Sequence, residues 1–137
     1  MGAMQGNLRT ATIQVSVSEI VDRATILKIK LGRSNHRNIE QLKRQYQGYL
    51  DELARLNVES QIHNLQLFLA RVNQILWRLE DAVRRHEAQR SFDLRFICAA
   101  RMIIKLNDRR ARIKAKIDEV CSSQFSDSKI YSLERRI

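Results

Sequence analysis

With 137 residues, the chain is long enough for one domain with a hydrophobic core of its own. It contains no proline and only four glycines, so residues that break helices are missing from nearly its whole length, and we predict an all-α fold. The formal net charge of +10 favours an anionic partner, while no apolar run approaches the roughly 20 residues that a membrane-spanning helix needs.

The cysteines and the amino end bear on where the protein is found. Cys98 and Cys121 lie far apart with no second cysteine at CxxC spacing, which argues against a disulfide framework and a structural zinc site. No charged and then apolar leader is present, and residues 1–4 resemble a remnant of an expression vector. We therefore expect a soluble, cytoplasmic protein with a single helical domain over residues 5–137.

The first predicted elements are a short arm and two helices. Residues 5–15 include β-branched side chains and predict an extended arm or a short strand. A helix is predicted over residues 17–32, because Ser16 and Glu19 match a capping box and apolar residues follow at helical spacing. A second helix is predicted over residues 35–56, where apolar residues alternate at spacings of three and four. These residues are Ile39, Leu42, Tyr46, Tyr49, Leu53 and Leu56.

Two longer helices are predicted next, over residues 59–89 and 92–120. The first keeps a heptad-like apolar register, and the second carries one apolar stripe with a single charged member, Arg110. A polar break follows, and a short tail helix is predicted over residues 127–135. Because the connections are short, we predict an antiparallel bundle of about four helices with a short amino-terminal arm and a carboxy-terminal tail.

One polar face of the third predicted helix is a candidate site. Five of its residues are spaced by three or four and therefore share that face. They are Asn73, Trp77, Glu80, Arg84 and Glu87. One interpretation is a solvated face with ordinary surface ion pairs. The alternative is a binding surface on which Trp77 offers a flat apolar ring against which a sugar or another ring stacks.

Arg110 is the sharpest candidate, because a guanidinium cannot lose its charge and needs a carboxylate or an anionic ligand at a core-facing position. Asn107 and Lys114 share its helix face, and Arg101 shares another face with Asp108. Two explanations are open, an internal salt-bridge network and an anion pocket, and one recess can contain both. The acidic residues available as internal partners are Asp22, Glu80 and Glu87.

No catalytic or metal-binding motif is recognised in the sequence. His36, His63 and His86 lie on different segments without a second ligand at metal-binding spacing. No nucleophile with a nearby histidine and acid, no glycine-rich phosphate loop and no HExxH motif is present. We therefore predict no metal and no cofactor, and the sequence favours a protein that is not an enzyme.

Four groups of residues carry a resemblance to a known family. They are residues 19–30, ending at Lys30; Asn73, Leu76, Trp77, Glu80, Arg84 and Glu87; Phe96, Ile97, Ala100, Arg101, Asn107, Asp108, Arg110, Ala111 and Lys114; and Lys129 with Tyr131. Together they resemble an uncharacterised bacterial family of short helical proteins, a domain of unknown function, over most of residues 15–131. The resemblance implies that the polar positions surround one pocket. Relatives that accompany glycosyltransferase and surface-polysaccharide genes imply a sugar-phosphate or nucleotide-sugar setting.

Three functions are compatible with these features. The first, and our main prediction, is a non-enzymatic helical module that binds an anionic ligand through a phosphate or carboxylate group, linked to surface-polysaccharide or sugar-phosphate metabolism. The second is a small all-α enzyme with an architecture similar to the helical chorismate mutases. The third is nonspecific nucleic-acid binding, motivated by the positive charge. Membrane insertion is not expected, and a homodimer is compatible with the sequence.

The predicted ligand-binding residues are Asp22, Lys30, Trp77, Glu80, Arg84, Glu87, Arg101, Asn107, Asp108, Arg110 and Lys114.

Overall fold

The computed structural model describes residues 9–33 and 37–122, and four α-helices make up most of this part of the chain. They are α1 (Val17–Leu31), α2 (Ile39–Leu56), α3 (Glu59–Ala88) and α4 (Leu94–Ser122). The helices pack against one another, so the prediction of an all-α bundle with two long helices is confirmed. Residues 9–16 form no strand. The predicted tail helix over residues 127–135, with Lys129 and Tyr131, lies outside the described residues.

The helix directions follow from which residues meet. Asp22 of α1 meets Asn73 of α3, and Arg33, just beyond the end of α1, meets Asp81 further along α3, so α1 and α3 run parallel. The short connection at residues 89–93 turns α4 back along α3, and these two helices form the most extensive helix pair. α1 contacts all three other helices and is therefore the centre of the bundle.

The apolar face of α1 forms the middle of the core. The buried apolar residues are Ile20, Val21, Ala24 and Leu27 of α1, Leu53 of α2, Ile62, Leu69, Val72 and Leu76 of α3, and Ile117 of α4. α1 has 15 residues and a length of about 22 Å, whereas α3 has 30 residues and a length of about 45 Å. The α3–α4 hairpin therefore extends past the end of α1.

Local sequence explains where two helices begin and end. Asn57 takes the left-handed conformation (φ 54°, ψ 43°) that ends α2, which asparagine tolerates better than most residues. At the start of α4, the Asp93 carboxylate accepts a hydrogen bond from the Phe96 amide at 3.1 Å. Asn57 and Asp93 thus fix the turns on either side of α3.

The start of α1 differs from the predicted capping box. The Ser16 side chain makes no capping hydrogen bond, and the Glu19 carboxylate binds Lys114 of α4 instead of a free amide. The Ser18 amide donates to Asp118 Oδ1 at 2.9 Å, and the Ser18 hydroxyl donates to Asp118 Oδ2 at 2.7 Å. A carboxylate from α4 therefore caps α1, because it is better placed than the local side chains and is favoured by the helix dipole.

Candidate functional site

The candidate site is built around a buried carboxylate on α1. Asp22 is only 2% exposed. The Asn73 side-chain amide donates to Asp22 Oδ1 at 2.9 Å and to Thr25 Oγ1 at 2.7 Å, and the Thr25 hydroxyl donates to the Asp22 carbonyl oxygen at 2.7 Å. Because Asp22 and Thr25 are three residues apart, they share one helix face toward α3. These bonds fix the Asp22 carboxylate in one orientation.

Arg110 of α4 forms a two-point contact with this carboxylate. Its Nε donates to Asp22 Oδ1 at 3.0 Å, and its Nη2 donates to Asp22 Oδ2. The planar fork of the guanidinium matches the two carboxylate oxygens, which is the strong arrangement for such pairs. The arginine inside the apolar stripe of α4 thus has an internal partner, and that partner is Asp22 rather than Glu80 or Glu87.

Lys114, one helical turn further along α4, extends the cluster. Its Nζ donates to the Glu19 carboxylate and lies 3.6 Å from Asp22 Oδ2. Glu19 is also within 3.8 Å of Arg23 on its own helix. Arg110 and Lys114 are therefore balanced by Asp22 and Glu19, and these four charges sum to zero.

The cluster changes the pKa values of its central pair. Burial by itself raises the pKa of Asp22, but hydrogen bonds from Arg110 and Asn73 and the positive charges of Arg110 and Lys114 outweigh it, so the pKa is lowered. The hydrogen bond to Asp22 raises the pKa of Arg110 despite partial burial, and the charge of Glu80 adds to this effect. Both members of the pair are therefore ionised at neutral pH.

An open groove of about 410 Å³ lies between α1 and α4 beside this cluster. Its lining residues are Ser16, Ser18, Glu19, Asn107, Arg110, Ala111, Lys114, Ala115 and Asp118. Ala111 and Ala115 leave the α4 side of this groove open, because their side chains are small. Arg110 is 30% exposed, and its Nη1 makes no hydrogen bond within residues 9–33 and 37–122. The α1–α4 groove thus offers fixed, unused N–H donors to a ligand.

The structure brings some of the predicted ligand-binding residues together and leaves others apart. Asp22, Arg110 and Lys114 form the cluster, and Asn107 lines the α1–α4 groove. The other charged candidates are exposed and do not line it. These are Lys30, Glu80, Arg84, Glu87, Arg101 and Asp108.

Trp77 is half-buried and already has a partner of its own. The Arg33 guanidinium lies 5.8 Å from the centroid of the Trp77 ring, and Arg33 also forms an ion pair of 2.5 Å with Asp81. A cation over an aromatic ring is a favourable contact. Arg33 therefore lies over one face of the ring against which the sequence predicts a stacked ligand.

Several residues of the cluster are missing from the predicted set of ligand-binding residues. Asn73 belongs to the candidate polar face of the third helix but not to that set, and it is only 4% exposed. Its signal is its spacing of four from Leu69 and three from Leu76, both core residues, which puts it in the buried register. Ser18 and Asp118 are 100 positions apart, and no local spacing connects them.

Two further features of the described residues concern the chemistry of the site. Within residues 9–33 and 37–122, no group of three or more His, Cys, Asp or Glu side chains is arranged to hold a metal ion. In the same part of the chain, no helix is long and apolar enough to span a bilayer.

A family model for DUF6165, a family of unknown function, matches residues 11–134. The chain belongs to this family. No curated protein and no solved structure is significantly similar to it. The match to DUF6165 spans all four helices and the α1–α4 groove. The family description names no activity, so a function can be inferred only from the geometry of the groove.

Proposed function

We propose that this DUF6165 protein is a non-enzymatic binding module that takes the phosphate or carboxylate group of a small ligand on Arg110 and Lys114 in the α1–α4 groove. The observation that carries the proposal is the two-point contact between Asp22 and Arg110. It holds the guanidinium still at the edge of the groove and leaves Nη1 unused. The sugar-phosphate setting implied by the sequence resemblance is consistent with such a ligand.

Because Arg110 is already held in place in the folded protein, binding an anion costs it little side-chain freedom. An arginine that is free in solution loses side-chain freedom when it grips an anion, and that loss weakens binding. Here Arg110 has already lost this freedom on folding, because it is bound at two points to Asp22. Asp22 is itself buried and held by Asn73. A guanidinium also suits phosphate and carboxylate better than an ammonium does, since two parallel N–H groups meet two oxygens.

Glu19 is the internal competitor of the ligand. Its side chain is 38% exposed and forms an ion pair with Lys114. A ligand anion therefore gains Lys114 only when Glu19 turns toward solvent, which its exposure allows. The groove volume of about 410 Å³ is in the range of pockets for small molecules, so a sugar phosphate or a dicarboxylate fits the size.

The test compares melting temperatures in the presence of defined anions. Inorganic phosphate, malonate and glucose 6-phosphate are each added at matched ionic strength, with sodium chloride as the reference. At least one of the three should raise the melting temperature above the chloride value. No gain with any of them, or the same gain with chloride, would overturn the proposal.

Variants show whether the anion-induced rise in melting temperature arises in the α1–α4 groove. Lys114→Ala and Arg110→Ala should abolish it, each measured against the variant's own melting temperature without anion. Arg84→Ala is the matched control, because it removes an equal charge from an exposed position outside the groove. Glu19→Gln should increase the gain, since it removes the competitor of the ligand. A gain that survives both Arg110→Ala and Lys114→Ala would place the anion elsewhere.

A second candidate function is sequence-independent nucleic-acid binding along the outer face of α3. Arg71, Arg78 and Arg85 recur every seven residues on this helix and are exposed. The exposed Phe68 lies just before Arg71, and Ile75 lies between Arg71 and Arg78. Cations along one face suit a phosphate backbone, and the exposed ring of Phe68 offers a base one surface for stacking. Affinity for a mixed-sequence oligonucleotide should fall steeply with salt, and Arg78→Ala should weaken binding to all sequences equally.

A further inference from the structure

A second apolar repeat runs along the solvent side of α4. Seven residues follow one another there at alternating spacings of three and four, which is the spacing of a coiled-coil seam. They are Leu94, Ile97, Arg101, Ile104, Asp108, Ala111 and Ala115, and all are at least one-third exposed. Leu94 is 73% exposed, Ile97 47% and Ile104 64%. The stripe that holds Arg110 faces α1, so this outer seam is a second contact face on the same helix.

The charges of the outer seam in one copy can pair with those of the same seam in a second copy. Arg101 and Asp108 lie on either side of Ile104, three and four residues away. When two copies of α4 lie antiparallel about a twofold axis near Ile104, Arg101 of each copy comes beside Asp108 of the other. A parallel arrangement places Arg101 beside Arg101 and Asp108 beside Asp108, which is repulsive. The charge pattern therefore selects the antiparallel arrangement.

The sizes of the seam residues point to the same arrangement. The large side chains of Leu94 and Ile97 stand at the amino end of the outer seam, and the small Ala111 and Ala115 stand at its carboxyl end. In an antiparallel pair, each large end lies over the small end of the other copy. Large side chains opposite small ones allow two helices to interlock without voids or clashes.

The other exposed faces suit a second copy less well. On the outer face of α3, the charged residues Arg71, Arg78 and Arg85 have one sign, so two such faces repel each other. The exposed flank of α2 is made of polar and charged residues, with no large apolar side chain. Of these three faces, the outer seam of α4 alone combines large exposed apolar side chains with opposite charges.

We propose that two copies of this chain pair antiparallel along the outer seam of α4, through Ile97 and Ile104 and through two ion pairs between Arg101 of one copy and Asp108 of the other. The pairing goes beyond the anion-binding proposal and requires no ligand. Ala111 and Ala115 belong both to the outer seam and to the lining of the α1–α4 groove, so the second copy lies along the rim of that groove.

The decisive test exchanges the charges. Sedimentation equilibrium of the full chain without added anions should give a mass that rises from 16.1 kDa toward twice that value as concentration increases. Arg101→Asp and Asp108→Arg each turn both ion pairs into like-charge contacts, so each alone should dimerise at least about tenfold more weakly. Mixed in equal amounts, the two variants should dimerise again, because each then meets the opposite charge in its partner.

Several outcomes would overturn the pairing. They are a wild-type monomer up to about 1 mM, single variants that dimerise as the wild type does, and a mixture that gains nothing over its components. Arg78→Asp on α3 is the matched control for charge reversal and should leave dimerisation unchanged. Dimerisation without any anion effect on melting would reject the binding proposal alone, and an anion effect on a monomer would reject the pairing alone.

Apolar variants test the same surface without charge. Ile104→Glu should abolish dimerisation, whereas Ile75→Glu, on the outer face of α3, should retain it. Circular dichroism reports whether each variant is still folded. Equal loss of dimerisation in both folded variants would show that the contact is not the outer seam of α4.

Discussion

The α3–α4 hairpin has two halves that are stabilised in different ways. In the root half, α1 lies against both helices, and core residues such as Leu69 and Ile117 surround the Asp22–Arg110 pair. The tip half extends past Asp81, which meets Arg33 just beyond the end of α1. Large apolar side chains are exposed there, including Phe92, Leu94, Ile97 and Met102. A third helix thus decides where this hairpin can bury an ion pair and where its side chains face solvent.

The largest difference between the halves should appear when a leucine is shortened in each. Leu69→Ala in the root removes a fully buried side chain and should lower the free energy of unfolding by about 3 kcal/mol. Leu94→Ala in the tip removes a side chain that is 73% exposed and should change it by less than about 0.5 kcal/mol. Urea unfolding at a concentration where the chain is monomeric measures both. Similar losses would mean that the tip has a core of its own.

The ion pair of the root should show the next largest effect. Asp22→Ala leaves Arg110 without its carboxylate in a partly buried position, and we expect a loss of about 3 kcal/mol. Asp51→Ala on the exposed side of α2 is the control and should cost less than about 0.5 kcal/mol. The double variant Asp22→Ala with Arg110→Ala should cost less than the sum of the two single variants. Additive losses would contradict a direct coupling between the two side chains.

Low pH should lower the stability of the root half, because it protonates the Asp22 carboxylate. The pKa of Asp22 is lower in the folded protein than in the unfolded chain. Its stabilising contribution is therefore fully present above the ordinary aspartate value of about 3.9 and is lost as the pH falls through the lower folded pKa. Asp22→Asn should be less stable at neutral pH but should lose less stability on acidification, as urea unfolding at several pH values would show. Parallel acid profiles would contradict this assignment.

The smallest effect concerns the cap of α1. Ser18→Ala removes the hydroxyl bond to Asp118 and should lower the free energy of unfolding by about 1 kcal/mol. Ser16→Ala is the comparison variant, since that side chain caps no amide and reaches only the Ser18 hydroxyl, at 3.0 Å, and it should change stability by less than about 0.5 kcal/mol. Thermal unfolding of both variants measures the difference. A larger loss at Ser16 would favour the local capping box that the sequence predicts.

The sequence predicts the inward direction of Arg110 because a charge inside an apolar stripe is a local signal. Asp22 is among the three partners that the sequence offers, and the structure selects it. Helical spacing identifies which residues share a face, but it does not say what covers that face. The sequence predicts Arg84 and Arg101 beside Arg110, but both are exposed. Arg84 lies beyond the end of the shorter α1, and Arg101 lies on the opposite side of α4 from Arg110, nine residues away.

Contacts between distant segments are the other limit of sequence reasoning. The bond between Ser18 and Asp118 joins residues 100 positions apart, and the Asp22–Arg110 pair joins residues 88 positions apart. Local spacing favours a capping box at Ser16 and Glu19, but in the folded chain the Asp118 carboxylate of α4 caps α1 instead. The helices follow from local patterns, whereas the cluster depends on how they are assembled.

The same long separation sets an order of events during synthesis. α1 leaves the ribosome first of the four helices, and its partners on α4 leave last. Until then, the apolar face of α1 lacks its final cover, and the negative charge of Asp22 interrupts that face. A charge inside an apolar segment opposes aggregation of the unfinished chain. The carboxylate that pairs with Arg110 in the folded protein is thus also the charge that interrupts the apolar face of α1 before α4 is present.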